Sequence, residues 1–311
     1  MCWALLLVLM AAAPIWAGSP LSAAAAQAGL RVVTSSTDLK ALVEEVGGSR
    51  VQVESLAPPV HDPHSVEMKP SQMAKLKAAA LLVRIGLDHE PWLTRLLASL
   101  HDPRFVRGSL NYLETSKGIP LLQIETPRIG GERGVHVHGF GNTHYWLDPE
   151  NARPMTAAIL EVLSHLAPED RSAFEANRTR FLVRLDEGLL RWSRTVAPFR
   201  GTRVVVVHET WPYFAQRFGL TVVAAMEPTP GVPPSPSSLA TLIQRMRDAG
   251  VKLIIAEPYA DASVVNEVAA RSGARAVTLI PSVGGDPSAR DYLALFDLNV
   301  RRLTEALAAG S

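Results

Sequence analysis

The sequence predicts an α/β protein of two lobes, each with a parallel-type sheet flanked by helices. Apolar runs with strand character alternate with helical patterns over about residues 30–100, and the alternation resumes near residue 197. A long helical pattern separates these two regions. Strands that alternate with helices are typical of βαβ units, in which neighbouring strands run parallel.

The first lobe is predicted to occupy residues 27–150. Either Ser36 or Thr37 can cap its first helix, which Gly47 and Gly48 end. The predicted strands are residues 30–36, 51–56 and 80–85, and the predicted helices are residues 37–46, 71–80 and 90–100. Residues 127–143 contain five Gly and two His without sustained periodicity, so we expect a loop there.

Residues 151–196 are predicted to be a helical segment that joins the lobes. Its long helix begins at Pro168, a residue that suits the first turn, and runs to about Val196. At 1.5 Å per residue it would measure about 43 Å, long enough to bridge two lobes rigidly.

The second lobe is predicted over residues 197–311 and repeats the alternation of strands and helices. Its strands are predicted at residues 202–208, 221–226, 251–256 and 276–280, and its helices at residues 211–218, 237–249, 262–272 and 292–308. Ligands of such sheets bind beyond the carboxyl ends of the strands, and a cleft between two lobes is a preferred site.

Residues 1–26 are predicted to be a signal peptide. No charged side chain precedes Arg31, and residues 5–13 form an apolar run. The run is shorter than the roughly 20 residues that span a bilayer and fits a secretory signal cleaved before Gln27. An uncleaved anchor is the alternative. Cleavage would remove Cys2, the single cysteine, which suits a periplasmic protein in an oxidising compartment.

Charge and cysteine content exclude several classes of function. Lys and Arg number 31 against 30 Asp and Glu, so the formal net charge is +1 and lacks the basic excess of a nucleic-acid-binding protein. One Cys cannot close an internal disulfide or build a Cys-rich zinc site. The nine His therefore remain as the main candidates for metal or acid–base chemistry.

Three of these histidines occupy comparable positions. His64 lies in the loop after the second strand, His144 lies at the end of the first lobe, and His208 ends a strand of the second lobe. All three can face the interlobe cleft, and imidazole is a common zinc ligand. Their spacing matches no short metal-binding motif, so each could also be an ordinary polar residue.

Characteristic segments surround these histidines and occur in order through residues 30–311. They are Asp62-Pro63-His64 with Pro70-Ser71, Gly86-Leu87-Asp88-His89-Glu90-Pro91-Trp92, His144-Tyr145-Trp146-Leu147-Asp148-Pro149, His208-Glu209-Thr210-Trp211-Pro212 and Ala256-Glu257-Pro258. In this combination the chain resembles the metal-specific solute-binding proteins of bacterial ABC importers, the cluster A-I type that carries zinc or manganese.

The resemblance implies that His64, His144 and His208 are the first three metal ligands, with the ion in the interlobe cleft. Manganese-type members usually have Glu at the third position, where this chain has His208. Three neutral imidazoles favour zinc, whereas additional carboxylates suit manganese. Zinc is therefore the predicted cargo and manganese the alternative.

The fourth ligand departs from the family pattern. Many members have an Asp soon after the last strand, close to where this chain has Ile280. Glu257, Asp286 or water could replace it, and Glu257 is the preferred protein candidate, with a purely structural role as its alternative. His136 and His138 are similar to the His-rich loop of zinc-type members and predict a weak secondary site, unless they belong to an ordinary polar loop.

The resemblance implies a monomer that captures a metal ion and delivers it to an importer permease, whose ATPase drives release. It implies neither an enzyme nor a nucleic-acid partner. The rival interpretation is a zinc hydrolase in which three His hold the ion and Glu209 or Glu257 serves as base. No metalloprotease motif supports that rival. A third interpretation is a two-lobe protein that binds an organic solute.

Overall fold

The computed structural model describes residues 29–67, 69–122, 141–227 and 233–309. The predicted signal peptide and the predicted secondary ligands His136 and His138 lie outside these residues. Among the described helices, none combines the length and the apolar character needed to cross a membrane.

The first lobe is built on a four-stranded parallel sheet in the order β2-β1-β3-β4. Its strands are β1 (Leu30–Thr34), β2 (Val51–Ser55), β3 (Leu81–Arg84) and β4 (Tyr112–Glu114), and its helices are α1 (Thr37–Gly47), α2 (Pro70–Ala78) and α3 (Pro91–Leu100). Of the two predicted caps of α1, Ser36 is the one used, because its hydroxyl accepts the N–H of Leu39 at 3.2 Å. Strand β4 was not predicted, since three half-buried residues produce no periodic signal.

The second lobe repeats this topology in a parallel sheet of order β6-β5-β7-β8. Its strands are β5 (Arg203–Val206), β6 (Thr221–Ala225), β7 (Leu253–Ala256) and β8 (Arg275–Thr278), and its helices, numbered after the two of the joining segment, are α6 (Pro212–Phe218), α7 (Pro236–Asp248), α8 (Ala262–Ser272) and α9 (Tyr292–Ala308). Strands β5 and β7 are almost entirely apolar and buried, as expected for central strands covered on both faces.

Two helices, α4 (Ala152–Leu166) and α5 (Arg171–Val196), join the lobes. The long helix begins three residues later than predicted, because Pro168–Asp170 forms a tighter 3₁₀ turn. Helix α5 has 26 residues and spans about 39 Å. It contacts both lobes: Asn177 donates to the carbonyl of Val46 at 2.9 Å, and Trp192 donates to Asp297 on α9 at 2.6 Å.

One hydrophobic core continues from the first lobe into the second. It includes Val32 of β1 in the first sheet, Val204 of β5 in the second and Phe181 of α5, all buried. Trp146 crosses the junction, since its indole N–H donates to Pro281 at 2.9 Å and its own carbonyl accepts the Tyr292 hydroxyl at 2.6 Å. The walls of the interlobe cleft are therefore fixed by shared packing.

Candidate metal centre

The structure brings His64, His144 and His208 together in the interlobe cleft. One ring nitrogen from each lies within 4.8 Å of the others, and the ring centroids are 5.2 to 5.7 Å apart. The Nε2 atoms of His64 and His144 are 3.2 Å apart. Two nitrogens bound to one tetrahedral zinc at about 2.0–2.1 Å would lie about 3.3 Å apart. This pair therefore already has the spacing that a shared ion requires.

The loop after β2 positions His64. Asp62 accepts the backbone N–H of His64 and the Ser65 hydroxyl, each at 2.9 Å, which closes a turn under the imidazole. The Nδ1 atom of His64 lies 3.0 Å from the carbonyl oxygen of His89. Because a carbonyl can only accept, Nδ1 carries the proton and the lone pair of Nε2 faces the cleft.

Asn142 positions His144, which is 3% exposed. Its Oδ1 atom accepts the backbone N–H of His144 at 2.9 Å and lies 3.2 Å from the ring Nδ1. Its side-chain nitrogen donates to the carbonyl of Glu209 at 2.7 Å. Asn142 thus favours the tautomer of His144 that carries its proton on Nδ1. It also links His144 to Glu209, the residue that follows His208.

The second sheet positions His208, which follows β5 at the carboxyl edge. The preceding Val207 donates to Ile255 of β7 at 3.0 Å and accepts the N–H of Glu227 at 2.8 Å. Ladder bonds on both sides therefore hold the backbone immediately before His208. The imidazole itself is half-buried.

A fourth histidine, His89, lies against the cluster, although sequence analysis did not assign it a role. It is fully buried, and its ring centroid is 4.4 Å from that of His64 and 5.1 Å from that of His144. Its Nδ1 atom lies 2.8 Å from the Thr143 hydroxyl. The signal that could have found it is the Gly86-to-Trp92 segment, which follows β3 at the same sheet edge as His64.

Backbone geometry and a buried ion pair hold the loop that carries His89. Leu87 and Asp88 both have positive φ, at 56° and 55°. The Glu90 carboxylate accepts the N–H of Ile85 at 2.7 Å and pairs with the Arg84 guanidinium at 2.9 Å, with both side chains almost fully buried. Residues adjacent to His89 in the sequence therefore hold the loop that carries it.

Burial favours the ligand-competent form of His64. Desolvation lowers the pKa of its imidazole below the ordinary value of 6.5, although the charges of Asp62 and Glu90 oppose the change. Metal binding needs a neutral imidazole. The ring therefore stays ready for a metal at lower pH than a histidine in water.

Among the described residues, no candidate for a fourth ligand lies within 4.8 Å of all three histidine nitrogens. Glu257 is 2% exposed and accepts the indole N–H of Trp211 at 2.8 Å, and it borders a cavity that also touches His208. Burial raises the pKa of Glu257 to about 7. Asp286 accepts Arg302 at 2.7 Å and the N–H of Ser288 at 2.8 Å. Ligation by Glu257 stays a prediction, and Asp286 already has a cationic partner.

Two lobes on one rigid core, with a three-histidine cluster between them, define a metal-binding member of the solute-binding class. A family model described as zinc-uptake complex component A, periplasmic, matches residues 32–306, and the chain belongs to this family.

Individual relatives agree with this assignment. The chain is 28% identical to the high-affinity zinc uptake system protein ZnuA of Paracoccus denitrificans (strain Pd 1222), over 89% of this chain and 90% of the relative. It is 22% identical to the manganese ABC transporter substrate-binding lipoprotein PsaA of Streptococcus pneumoniae, over 89% of each. A crystal structure of ZnuA superimposes with a TM-score of 0.73 at 26% identity, covering 89% of this chain and 99% of that one.

The comparisons confirm the expected family, the two-lobe fold and the role of a metal-binding importer component that is not an enzyme. The hydrolase and organic-solute interpretations lose their support, because the family match covers the whole region that holds the three histidines.

Proposed function

We propose that the protein captures zinc with His64, His144 and His208 in the periplasm and delivers it to the permease of an ABC importer. The observation that carries this proposal is the convergence of three ring nitrogens from both lobes within 4.8 Å. Two of the rings have their Nδ1 atoms engaged by oxygen acceptors, which leaves Nε2 for the ion.

The choice of zinc over manganese follows from the donor atoms. Imidazole nitrogen suits zinc, whereas manganese prefers carboxylate and carbonyl oxygen. The three-ligand group contains nitrogen donors only. Glu257 or water would complete a tetrahedron, and zinc accepts either.

Capture needs no chemistry and little movement. The ligands are held by loops at the carboxyl edges of two sheets that share one core. Release then requires work on the loops, which the ATPase of the importer would supply through the permease. Each chain carries all three histidines, so the proposed site needs no second copy and a monomer suffices for capture.

Calorimetric titration of the metal-free protein with zinc tests the proposal. The wild type should bind one ion tightly, and His64→Ala, His144→Ala and His208→Ala should each lose most of the affinity. His101→Ala is the matched control, because His101 is exposed and its ring hydrogen-bonds only locally, to Ser99. Wild-type affinity in all three ligand variants would refute the site, and tighter binding of manganese than zinc would refute the cargo.

We also propose a weak second site at His136 and His138, as the family resemblance implies. The double variant His136→Ala/His138→Ala should retain the tight site and lose any weaker zinc binding. Loss of the tight site in that variant would contradict the assignment of the primary ligands.

A further inference from the structure

A cavity of about 320 Å³ borders His208 of the histidine cluster, and four carboxyl-bearing residues line it. Asp62 contributes from the first lobe, Glu227, Glu257 and Asp261 contribute from the second, and His208 forms part of the wall. Among the described residues that line it, there is no Lys or Arg. We call this cavity the acidic chamber.

Glu257 supplies an independent sign that the acidic chamber suits a cation. It is 2% exposed, and its Oε1 atom accepts the indole N–H of Trp211. Its Oε2 atom is buried and makes no hydrogen bond of normal geometry within the described part of the chain, and the nearby Thr210 hydroxyl stabilises the carboxylate only in part. A buried carboxyl oxygen without a donor is unfavourable unless a cation or a proton satisfies it.

The electrostatics of the chamber agree. Asp62 of one lobe and Glu227, Glu257 and Asp261 of the other all line this cavity. The acidic groups of both lobes therefore act on the same small volume, and a divalent ion would relieve their repulsion.

We propose that the acidic chamber is an access subsite that takes a hydrated divalent cation and passes it to His208. The proposal rests on the proposed function of the three histidines. Six waters occupy roughly 180 Å³ at about 30 Å³ each, so the chamber can hold an ion with its hydration shell. Oxygen donors suit such a hydrated ion, and the imidazoles beyond them hold zinc more firmly once it sheds water.

The exposure of the lining residues gives the direction of transfer. Asp261 is exposed and Tyr259 is 37% exposed, whereas Glu257 is buried and His208 is half-buried. An ion that enters from the solvent would thus meet the carboxylate of Asp261 before it meets the imidazole of His208. Negative charge along such a path raises the association rate of a cation, and the effect weakens with salt.

Stopped-flow measurement of zinc association tests the subsite with Glu227→Gln. This variant removes one charge from the wall and leaves the three histidines and the Asp261 cap of α8 in place. We expect a several-fold slower association at low ionic strength, a smaller difference at high ionic strength, an unchanged dissociation rate and one tightly bound zinc. Glu267→Gln, on the exposed face of α8, is the control and should match the wild type.

Glu257→Gln separates the subsite from direct ligation. It should also slow association, and it should speed dissociation only if Glu257 binds the captured ion. Wild-type association rates at low ionic strength in both Glu227→Gln and Glu257→Gln would overturn the access subsite while leaving the three-histidine site intact. Failure of the wild type to bind zinc at all would overturn both proposals.

Discussion

At the residue scale, the site depends on the three histidines and also on the oxygen atoms that accept hydrogen bonds from two of their rings. The carbonyl of His89 and the side chain of Asn142 face the Nδ1 atoms of His64 and His144 at 3.0 and 3.2 Å. Each acceptor holds a proton on Nδ1 and so makes Nε2 the metal-binding atom. Outer groups of this kind typically contribute 10- to 100-fold in metal affinity.

Replacement of Asn142 by Ala should weaken zinc binding by about 10- to 100-fold. The variant loses the acceptor for His144 and the bond to the Glu209 carbonyl. Asn142→Asp keeps the acceptor and should bind more tightly than Asn142→Ala in the same calorimetric titration. Asn177→Ala is the matched control, because it removes a similar amide bond on α5, to Val46, away from the cleft. Equal zinc affinity in Asn142→Ala and Asn177→Ala would contradict this role.

Local sequence could indicate the three principal histidines but not the whole neighbourhood. His64 and His208 follow strands, and strand ends are predictable from apolar runs. His89 lies in the cluster because its loop has positive φ at Leu87 and Asp88, and the periodicity of the sequence does not predict such backbone angles. The reach of Glu257 depends on a side-chain rotamer, which no pattern specifies, so its ligation remains a prediction.

At the element scale, caps and apolar alternation made the helices and most strands predictable. The strand that was not predicted, β4, has only three half-buried residues. Strand β8 is mostly exposed, and it ends before Ile280, where the sequence predicted its end. The start of α5 shifted because proline at Pro168 suits a 3₁₀ turn as well as an α-helix. Tertiary packing decides between the 3₁₀ turn and the α-helix, and the periodicity of the sequence gives no information about that packing.

Gly188 on α5 should be intolerant of a methyl group. A Cβ there would lie 2.7 Å from Cη2 of Trp192, which is buried and packs on Phe296 with ring centroids 5.3 Å apart. Ala normally stabilises a helix by about 1 kcal/mol over Gly, but overpacking costs about 1–3 kcal/mol. We expect Gly188→Ala to lower the free energy of unfolding by up to about 2 kcal/mol in urea titrations.

The neighbouring exposed position provides the comparison for that change. Ser193→Ala, on the solvent side of α5, should leave the free energy of unfolding within about 0.5 kcal/mol of wild type. A Gly188→Ala protein as stable as Ser193→Ala would show that Trp192 can move without loss.

Asp38 on α1 should make stability depend on pH. It is fully buried and accepts the N–H of Val283 in the other lobe at 2.9 Å. Burial raises its pKa from the ordinary 3.8 to about 7, although the bond from Val283 opposes the shift. The folded protein therefore holds a proton that the unfolded chain releases, so the stabilisation is full below about pH 4 and is lost as pH rises towards 7.

Asp38→Asn should remove this dependence. Between about pH 4 and 7, the stability of the metal-free variant relative to wild type should improve with rising pH, by at most about 1.4 kcal/mol per unit. Denaturant unfolding at several pH values measures the effect. Glu44→Gln, exposed on the same helix, should follow the wild-type curve. Parallel curves for wild type and Asp38→Asn would mean that Asp38 is ionised in the folded state.

At the scale of the whole molecule, the two lobes act as one body. The same sheet order occurs in both lobes, yet the core does not divide at the junction. Arg217 of the second lobe also pairs with Asp148 at 2.6 Å, beside the Trp146 contact to Pro281. Helix α5 runs without a break for 26 residues and hydrogen-bonds to both lobes.

Small-angle scattering should therefore give the same radius of gyration, within error, for the metal-free and the zinc-loaded protein. Separation of the lobes would expose the buried core that they share, and this opposes opening when the ion departs. The His208→Ala variant with added zinc is the control, because any change in its radius would come from zinc acting outside the three-histidine site. A clearly larger radius for the metal-free wild type would show that the lobes separate despite the common core.

The shared core also has a consequence for how an importer would distinguish the metal-loaded protein from the metal-free protein. With the outline of the molecule held constant, a loaded carrier differs chiefly by the two positive charges of its ion. An ion held by His208 and its two partner histidines would add those charges next to the cavity lined by Asp62, Glu227 and Asp261. If delivery proceeds as proposed, the permease would distinguish the loaded carrier by the local charge at the cleft and not by the outline of the molecule.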